Sequence, residues 1–193
     1  MSRLITFGCS TTQGEGLENP QKETWGAYLS NLLDTNHINE GIAGASNKLI
    51  SYKVTTFEYQ SDDTVIILWA NPNRYSIINS DYEYYNIFPS SNTLESMLYY
   101  KHFHQDFDHM FINKVFTNHA IQYLKKCNVN FYQLFYNKEL IQYVDDSSNT
   151  LPIELSYYFK KYPLALDDLH LGKEGNLAYA TQIHKRITHS HII

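Results

Sequence analysis

The sequence predicts an α/β fold, a three-layer α/β/α sandwich with a parallel sheet of about five strands. The first observation is an alternation of short apolar runs with longer segments of helical periodicity, which indicates β-α-β units. The second is the run Thr-Val-Ile-Ile-Leu-Trp at 64–69, which is apolar at nearly every position. Such a run is typical of a central parallel strand covered by helices on both faces. The connections between strands are therefore expected to be right-handed crossovers.

Composition and charge narrow the class of protein. The chain has 193 residues, enough for one sizeable α/β domain, and we expect a single domain over 1–193. Hydrophobic residues make up 43% and charged residues 18%, which fits a packed domain rather than a disordered chain. The net charge of -5 and the lack of a basic block argue against a nucleic-acid partner.

Cysteine usage and the N-terminus bear on the compartment. The two cysteines, Cys9 and Cys127, provide no disulfide framework, which is typical of a reducing environment. The first apolar run begins too early to leave room for a signal peptide, and no apolar run reaches membrane-spanning length. We therefore expect a cytoplasmic protein with no membrane partner.

The N-terminal part predicts a strand, a polar turn and a helix. The strand is expected at 4–7 and ends in Gly8-Cys9-Ser10-Thr11-Thr12-Gln13-Gly14. Because ligands bind beyond the carboxyl ends of parallel strands, Ser10 stands where a nucleophile would be useful. A helix is predicted over 24–33, with Thr24 as its N-cap.

Two further strands end in polar turns of the same kind. A strand at 37–40 leads into Gly41-Ile42-Ala43-Gly44-Ala45-Ser46-Asn47, and Ser46 or Asn47 is expected to cap a helix that runs to about 59. The central strand at 64–69 ends in Ala70-Asn71-Pro72-Asn73-Arg74.

The second half of the chain contains less regular signals. A helical insertion is expected around 79–126. It consists of a tyrosine-rich loop at 79–92 and then two helices or one broken helix from Thr93 to about Lys126, whose apolar side is expected to contain Phe103, Phe107, Met110, Phe111, Val115 and Ile121. A fourth strand is predicted at 129–135. The segment 137–166 has no clear pattern and is expected to contain a short helix and then an irregular segment. A final helix is expected over 171–187, directly after Asp167-Asp168-Leu169-His170.

Four of these polar clusters, in this order, resemble the motif blocks of the SGNH (GDSL-type) hydrolases, a family of serine esterases, lipases and acyl hydrolases with a flavodoxin-like fold. Gly8-Cys9-Ser10 resembles the family's Gly-Asp-Ser block, and 39–44 resembles its Asn-x-Gly-x-x-Gly block. Asp167 to His170 resembles the final Asp-x-x-His block. Two departures stand out: Cys9 replaces an aspartate, and the third block, Gly-x-Asn-Asp, retains only Asn71.

The resemblance implies a catalytic triad. Ser10 would be the nucleophile, His170 the general base, and Asp167 the carboxylate that orients the imidazole. The oxyanion would be bound by the backbone N–H groups of Ser10 and Gly44 and by the side-chain amide of Asn71. The implied activity is hydrolysis of a carboxylic ester, with a small acyl group or a carbohydrate-linked one, through an acyl-enzyme and without a metal or cofactor.

Two residues after the third strand are candidates for substrate binding. Asn73 could replace Asn71 in the oxyanion site, and Arg74 could bind an anionic part of the substrate. The expected partner is thus a small-molecule or carbohydrate ester.

Several alternatives stay open at the level of the sequence. The altered first and third blocks allow a catalytically inactive SGNH-fold binding module. The hydroxyl-rich loop 10–14 also resembles a phosphate cradle, as in a flavodoxin-like phosphate or flavin binder. Cys9 is a rival nucleophile, ranked below Ser10. The cluster around His102, His104 and His109 could hold a metal, although a solvated helix face is the more common explanation.

Overall fold

The computed structural model describes residues 2–79 and 83–189, and it confirms the α/β prediction. The strands in the described residues are β1 (Arg3–Gly8), β2 (Asn36–Gly41), β3 (Thr64–Trp69), β4 (Tyr75–Ile78), β5 (Tyr84–Ile87), β6 (Asn130–Phe135) and β7 (Thr150–Glu154). The helices are α1 (Ser10–Gln13), α2 (Pro20–Glu23), α3 (Trp25–Leu33), α4 (Asn47–Thr56), α5 (Leu94–His102), α6 (Asp106–Cys127), α7 (Leu155–Lys161) and α8 (Lys173–His189). A 3₁₀ helix spans Lys138–Tyr143.

Five of the strands form one parallel sheet in the order β2-β1-β3-β6-β7. The near-continuous apolar run forms β3 at the centre of this sheet, with β1 on one side and β6 on the other. Its residues from Val65 to Trp69 are at most 2% exposed. Burial on both faces explains why this strand lacks the alternation of a half-buried strand.

Helices cover both faces of the sheet, which makes the three layers. Consecutive side chains of β1 and β3 point to opposite faces of the sheet, as the pleat requires. Ile5 and Ile67 belong to the cluster that contains the buried residues of α4 and α6. Leu4 and Ile66 belong to the cluster that contains those of α3, α7 and α8.

Local capping agrees with two sequence predictions. Thr24 Oγ1 accepts the N–H of Ala27 at 3.3 Å and caps α3. Ser46 Oγ accepts the N–H of Leu49 at 3.4 Å, so Ser46 rather than Asn47 caps α4. Each bond satisfies one of the free N–H groups in the first turn of its helix.

The segment 79–126 contains the predicted helices, with α5 beginning at Leu94 and α6 at Asp106. The loop expected before them needs correction, because β5 lies in it and pairs antiparallel with β4. Strands of four residues give too short a pattern to be recognised in a sequence. Residues 80–82, within the predicted segment, lie outside the described residues.

The second half of α6 belongs to the main core. Ala120, Ile121 and Leu124 are fully buried in the cluster on the α4 side of the sheet. The predicted apolar side is therefore confirmed at Ile121 but not in the first half of α6, where Phe107, Phe111 and Val115 are 75%, 58% and 46% exposed. Phe103, which follows α5, is 70% exposed.

The unpredicted segment 137–166 completes the fold. It contains the 3₁₀ helix, the edge strand β7 and the helix α7, which packs against α8. Among the described residues, none of the helices combines the length and apolar character that a membrane span requires.

Candidate active site

The polar turns singled out in the sequence lie at one edge of the sheet. β1, β2 and β3 are parallel, so their carboxyl ends at Gly8, Gly41 and Trp69 face the same way. Two loops at this edge are central to the site. We call residues 70–74 the β3 loop and residues 165–171, which precede α8, the Asp-His loop.

Asp167 and His170 form a close pair within the Asp-His loop. Asp167 Oδ2 lies 2.5 Å from His170 Nδ1. The other oxygen, Oδ1, accepts the backbone N–H groups of Leu169 and His170, each at 3.0 Å. Asp168 adopts a left-handed conformation with φ of 56°, which closes this tight turn. The arrangement fixes the ring orientation and leaves Nε2 available for chemistry.

The pKa of Asp167 is low because of these contacts. Burial acts to raise the pKa of the carboxyl, but hydrogen bonds from the backbone and side chain of His170 and from the backbone of Leu169 outweigh it. The pKa falls to about 2. Asp167 is therefore ionised at neutral pH and can stabilise a positive charge on the imidazole.

Ser10 is the first residue of α1, directly after β1. It is only 6% exposed, and its Oγ makes no hydrogen bond with any other described residue. His170 Nε2 lies 3.7 Å from Glu15 Oε2, a carboxylate on the loop that follows α1. The described residues therefore contain a bonded Asp167–His170 pair, but not a bonded Ser10–His170 pair.

The loop after α1 is packed closely against the Asp-His loop. The N–H of Leu166 donates to the carbonyl of Gly16 at 3.0 Å. A Cβ added to Gly16 would lie 2.5 Å from Asp167 Cγ, and the residue has φ of +78°. Glycine is thus required for this approach, which joins the first and last motif blocks.

The predicted oxyanion donors on the backbone are unpaired. Neither the Ser10 N–H nor the Gly44 N–H donates to another group in the described residues. Gly44 has φ of 71°, and Gln13 Oε1 accepts the adjacent Ala43 N–H at 2.8 Å. This bond ties the turn that carries Gly44 to α1, and hence to Ser10.

Asn71 is held with its amide nitrogen free. Its Oδ1 accepts the N–H of Asn73 at 2.9 Å, an Asx turn, while Nδ2 has no acceptor in the described residues. The amide can therefore donate to a ligand. Asn73 is exposed, and its carbonyl accepts a hydrogen bond from Tyr100.

Buried side chains hold the beginning of the β3 loop. Asn47 Oδ1 accepts the N–H of Ala70 at 2.8 Å, and Asn47 Nδ2 donates to the Ala70 carbonyl at 3.1 Å. The same Nδ2 donates to Asn113 Oδ1 at 2.6 Å. The end of β3 is thus fixed by two asparagines from α4 and α6.

The middle of the β3 loop is held from α6 in the same way. The carbonyl of Pro72 lies 2.8 Å from Asn113 Nδ2 and 3.2 Å from His109 Nδ1. His109 is 3% exposed, and its Nε2 lies 2.9 Å from the hydroxyl of Tyr99. Burial lowers the pKa of His109, which favours the neutral ring.

Residues from several of these elements line one cavity of about 310 Å³ at this edge of the sheet. The polar or reactive members are Cys9, Thr11, Asn71, Arg74 and His170. The apolar wall is formed by Leu68, Trp69, Ala70, Tyr136, Leu155, Phe159 and Leu169. Ser10 is not itself a lining residue, although its neighbours Cys9 and Thr11 are, and Asp167, Gly44 and Asn73 also lie outside the lining. A small ligand with both a polar and an apolar part fits such a cavity.

Comparison with solved structures finds two esterases and a lipolytic protein that match over nearly the whole chain. A psychrotrophic esterase from Pseudoalteromonas sp., inhibited by monoethylphosphonate, has a TM-score of 0.63 and 12% identity over 99% of both chains. An acetyl-xylooligosaccharide esterase from Geobacillus has a TM-score of 0.58 and 16% identity over 96% of this chain and 93% of that one. A member of the lipolytic G-D-S-L family from Veillonella parvula has a TM-score of 0.52 and 10% identity over 97% of this chain and 99% of that one. Neither protein-family models nor curated proteins match the sequence. The chain has the SGNH hydrolase fold.

Part of the cavity wall in this SGNH fold is formed by residues that no sequence motif marks. Leu155 and Phe159 on α7 and Tyr136 after β6 were not recognised as site residues. The spacing of Leu155 and Phe159 places them on one helix face, which is the signal that could have located them. The segment was not interpreted because α7 has only seven residues.

The histidine-rich segment of the SGNH fold has a structural role in the described residues. His104 and His109 lie with ring centroids 4.2 Å apart, and His104 Nε2 is 3.0 Å from Asp106 Oδ1. Among the described residues, no three histidine, cysteine, aspartate or glutamate side chains converge as a metal site.

Proposed function

We propose that the protein is a serine hydrolase that cleaves a carboxylic ester through an acyl-enzyme on Ser10. The observation that carries the proposal is the 2.5 Å contact between Asp167 and His170 at the edge of the sheet where Ser10 begins α1. The fold supports it, since the similar solved structures include enzymes described as esterases.

Acylation follows from the roles of the three side chains. His170 Nε2 takes the proton of Ser10 Oγ, and Oγ attacks the ester carbonyl carbon. Asp167 holds Nδ1–H and stabilises the imidazolium, as its low pKa allows. The imidazolium then gives its proton to the departing alkoxide, so the alcohol leaves and the acyl group stays on Ser10.

Water completes the reaction in the reverse sense. His170 removes a proton from a water molecule, which attacks the acyl carbonyl, and the carboxylic acid is released as Ser10 regains its proton. In both steps, negative charge on the former carbonyl oxygen would be stabilised by the N–H groups of Ser10 and Gly44 and by Asn71 Nδ2. The absence of other acceptors for these donors supports this role.

The substrate proposed here is a small ester, including a short acyl group on a carbohydrate. A cavity of about 310 Å³ with an apolar wall accommodates a short acyl chain better than a long one. The acetyl-xylooligosaccharide esterase among the similar structures makes a carbohydrate ester a reasonable second test substrate.

Cys9 provides a second candidate nucleophile. Its thiol is not paired in a disulfide, and it lines the same cavity as His170. It also packs against the core cluster on the α4 side, which favours a structural role over a reactive one.

The test is labelling with a fluorescent fluorophosphonate together with hydrolysis of 4-nitrophenyl acetate. We expect wild type and Cys9→Ala to be labelled and active, and Ser10→Ala to be unlabelled and to lose activity by at least about 10³-fold. Activity that disappears only in Cys9→Ala would mean that Cys9, and not Ser10, is the nucleophile. A folded wild-type protein with neither labelling nor turnover would favour the inactive binding module.

A further inference from the structure

The cavity is lined by a cation, Arg74, whose side chain makes no hydrogen bond or salt bridge in the described residues. Arg74 closes the β3 loop, where its backbone N–H donates to the Asn71 carbonyl at 3.2 Å. Its side chain lines the cavity together with Asn71 and His170. The Nη1 atom is buried from solvent and has no hydrogen-bond acceptor within residues 2–79 and 83–189.

Comparison with Arg3 shows how unusual this is. Arg3 places Nε and Nη2 on the two carboxylate oxygens of Asp63, at 2.8 and 2.6 Å. Acidic residues are plentiful, since the chain has 20 aspartates and glutamates against 15 lysines and arginines. The unpaired state of Arg74 therefore does not result from a shortage of carboxylates. A guanidinium N–H that is buried without an acceptor is unfavourable unless a ligand satisfies it.

We propose that Arg74 binds a carboxylate on the substrate, so that the ester cleaved at Ser10 is an anionic one. This inference rests on the proposed function for the reaction, but not for the binding of the anion. A planar guanidinium fork matches a carboxylate in geometry as well as in charge. Arg74 is the single lysine or arginine among the lining residues, which suits a carboxylate better than a phosphate dianion.

The rest of the lining sets the form of the substrate. Apolar side chains, including Trp69, Leu155 and Phe159, share the cavity with Arg74 and His170. The substrate is therefore expected to carry a short hydrocarbon segment between its ester and its carboxylate. The volume of about 310 Å³ keeps the whole molecule small.

The kinetic experiment compares matched charged and neutral esters. One pair has the charge on the acyl part, 4-nitrophenyl hemisuccinate against 4-nitrophenyl butyrate. The other has it on the alcohol part, O-acetyl lactate against its methyl ester. We expect wild type to favour the anion of at least one pair in kcat/KM by roughly 10- to 100-fold, and Arg74→Gln to bring that ratio close to one. Arg74→Lys should retain part of the preference, because the charge remains while the fork is lost.

Lys138→Gln is the matched control for charge. It removes one positive charge from an exposed side chain near the same edge of the sheet, outside the cavity, and should keep the wild-type ratio. A ratio that falls equally in Lys138→Gln and Arg74→Gln would indicate a general electrostatic effect and overturn the proposal. So would an active wild-type enzyme with no preference for the anion in either pair.

Binding to the Ser10→Ala variant separates this inference from the proposed reaction. Titration calorimetry with succinate, and with its neutral dimethyl ester, requires no turnover. Succinate should bind to Ser10→Ala, and the affinity should fall roughly 10-fold or more when Arg74→Gln is added. If succinate binds in this way but the wild-type enzyme hydrolyses no ester, the proposed reaction is wrong and the anion site is supported. If esters are hydrolysed but succinate binds equally with and without Arg74, the anion site is wrong.

Discussion

The Asp-His loop and the β3 loop lie at the same edge of the sheet, but they are held in opposite ways. The Asp-His loop is stabilised from within, since Asp167 bonds to the backbone and ring of a residue three positions later. The β3 loop depends on side chains from far along the chain, with Asn47 23 residues before Ala70 and Asn113 41 residues after Pro72. A self-contained turn can be recognised as a motif, whereas a turn that is held from outside cannot.

The two loops also differ in the charges that stabilise them. The Asp-His loop relies on an ionised carboxylate with a pKa of about 2. The β3 loop relies on buried neutral amides and on His109, whose pKa burial lowers. The first loop should therefore tolerate acid, while the second should weaken first as the pH falls.

The largest effect is expected from Asp167→Asn. The substitution keeps the shape but removes the charge that stabilises the His170 imidazolium and selects its tautomer. We expect kcat for 4-nitrophenyl acetate to fall by about 10⁴-fold. The melting temperature is measured on the same preparation as kcat, so that a loss of activity can be distinguished from a loss of folding.

Asp168→Asn is the matched control for this loss. Asp168 is exposed and has φ of 56°, a conformation that asparagine tolerates. We expect its kcat to stay within a few-fold of wild type. Equal losses of kcat in both variants would mean that the rate depends on the conformation of the loop and not on the carboxylate of Asp167.

A smaller effect, mainly on stability, is expected from Asn113→Ala. The change removes the acceptor for Asn47 Nδ2 and a donor to the Pro72 carbonyl, both buried. We expect the free energy of unfolding in urea to fall by about 1–3 kcal/mol. We also expect kcat to fall by no more than about 10²–10³-fold, the effect of losing one oxyanion donor, because Asn71 stays present but is less well placed.

Asn118→Ala controls for the change in helix propensity. Asn118 lies on the same helix, and its side-chain contact in the described residues is a weak one of 3.5 Å to Gln122. Its unfolding free energy should stay within about 0.5 kcal/mol of wild type. If Asn113→Ala is as stable as Asn118→Ala, the view that the β3 loop depends on α6 is wrong.

The smallest expected effect is that of acid on the free energy of unfolding. His109 has a folded pKa below the ordinary value of 6.5, so the unfolded chain binds its proton first as the pH falls. Stability from this residue is complete above pH 6.5 and is lost below it, with a slope of at most about 1.4 kcal/mol per pH unit. Asp167 instead loses its contribution only as the pH falls from 3.8 to about 2.

Urea unfolding between pH 7 and 5 tests this difference. We expect the free energy of unfolding of His109→Gln to decline less steeply than that of wild type over this range, because glutamine has no proton to gain. Asp167→Asn should decline in parallel with wild type there. A His109→Gln slope equal to that of wild type would show that the histidine does not titrate in this window.

The elements with strong local patterns could be predicted from the sequence. The central strand at 64–69 matches β3 residue for residue, and Thr24 caps α3 as expected. The β4–β5 hairpin and α7 could not be predicted, because strands of four residues and a helix of seven give too few positions to establish a period. The exposed apolar residues of α6 are a different case. The sequence shows that Phe107, Phe111 and Val115 recur at helical spacing, but such spacing does not show what that face of the helix contacts.

For the candidate site, the sequence by itself determined the local relations on which the proposal rests: Ser10 directly after β1, and Asp167 three residues before His170 in one turn. Such local relations are encoded within a few residues, and the hydrogen bonds of the Asp-His loop follow from them. Only the tertiary structure decided that the Arg74 guanidinium is left without a hydrogen-bond partner in a cavity with His170, and that α7 contributes to the wall of this cavity. These properties depend on contacts between residues tens of positions apart, which are set by how the layers pack and not by any one segment.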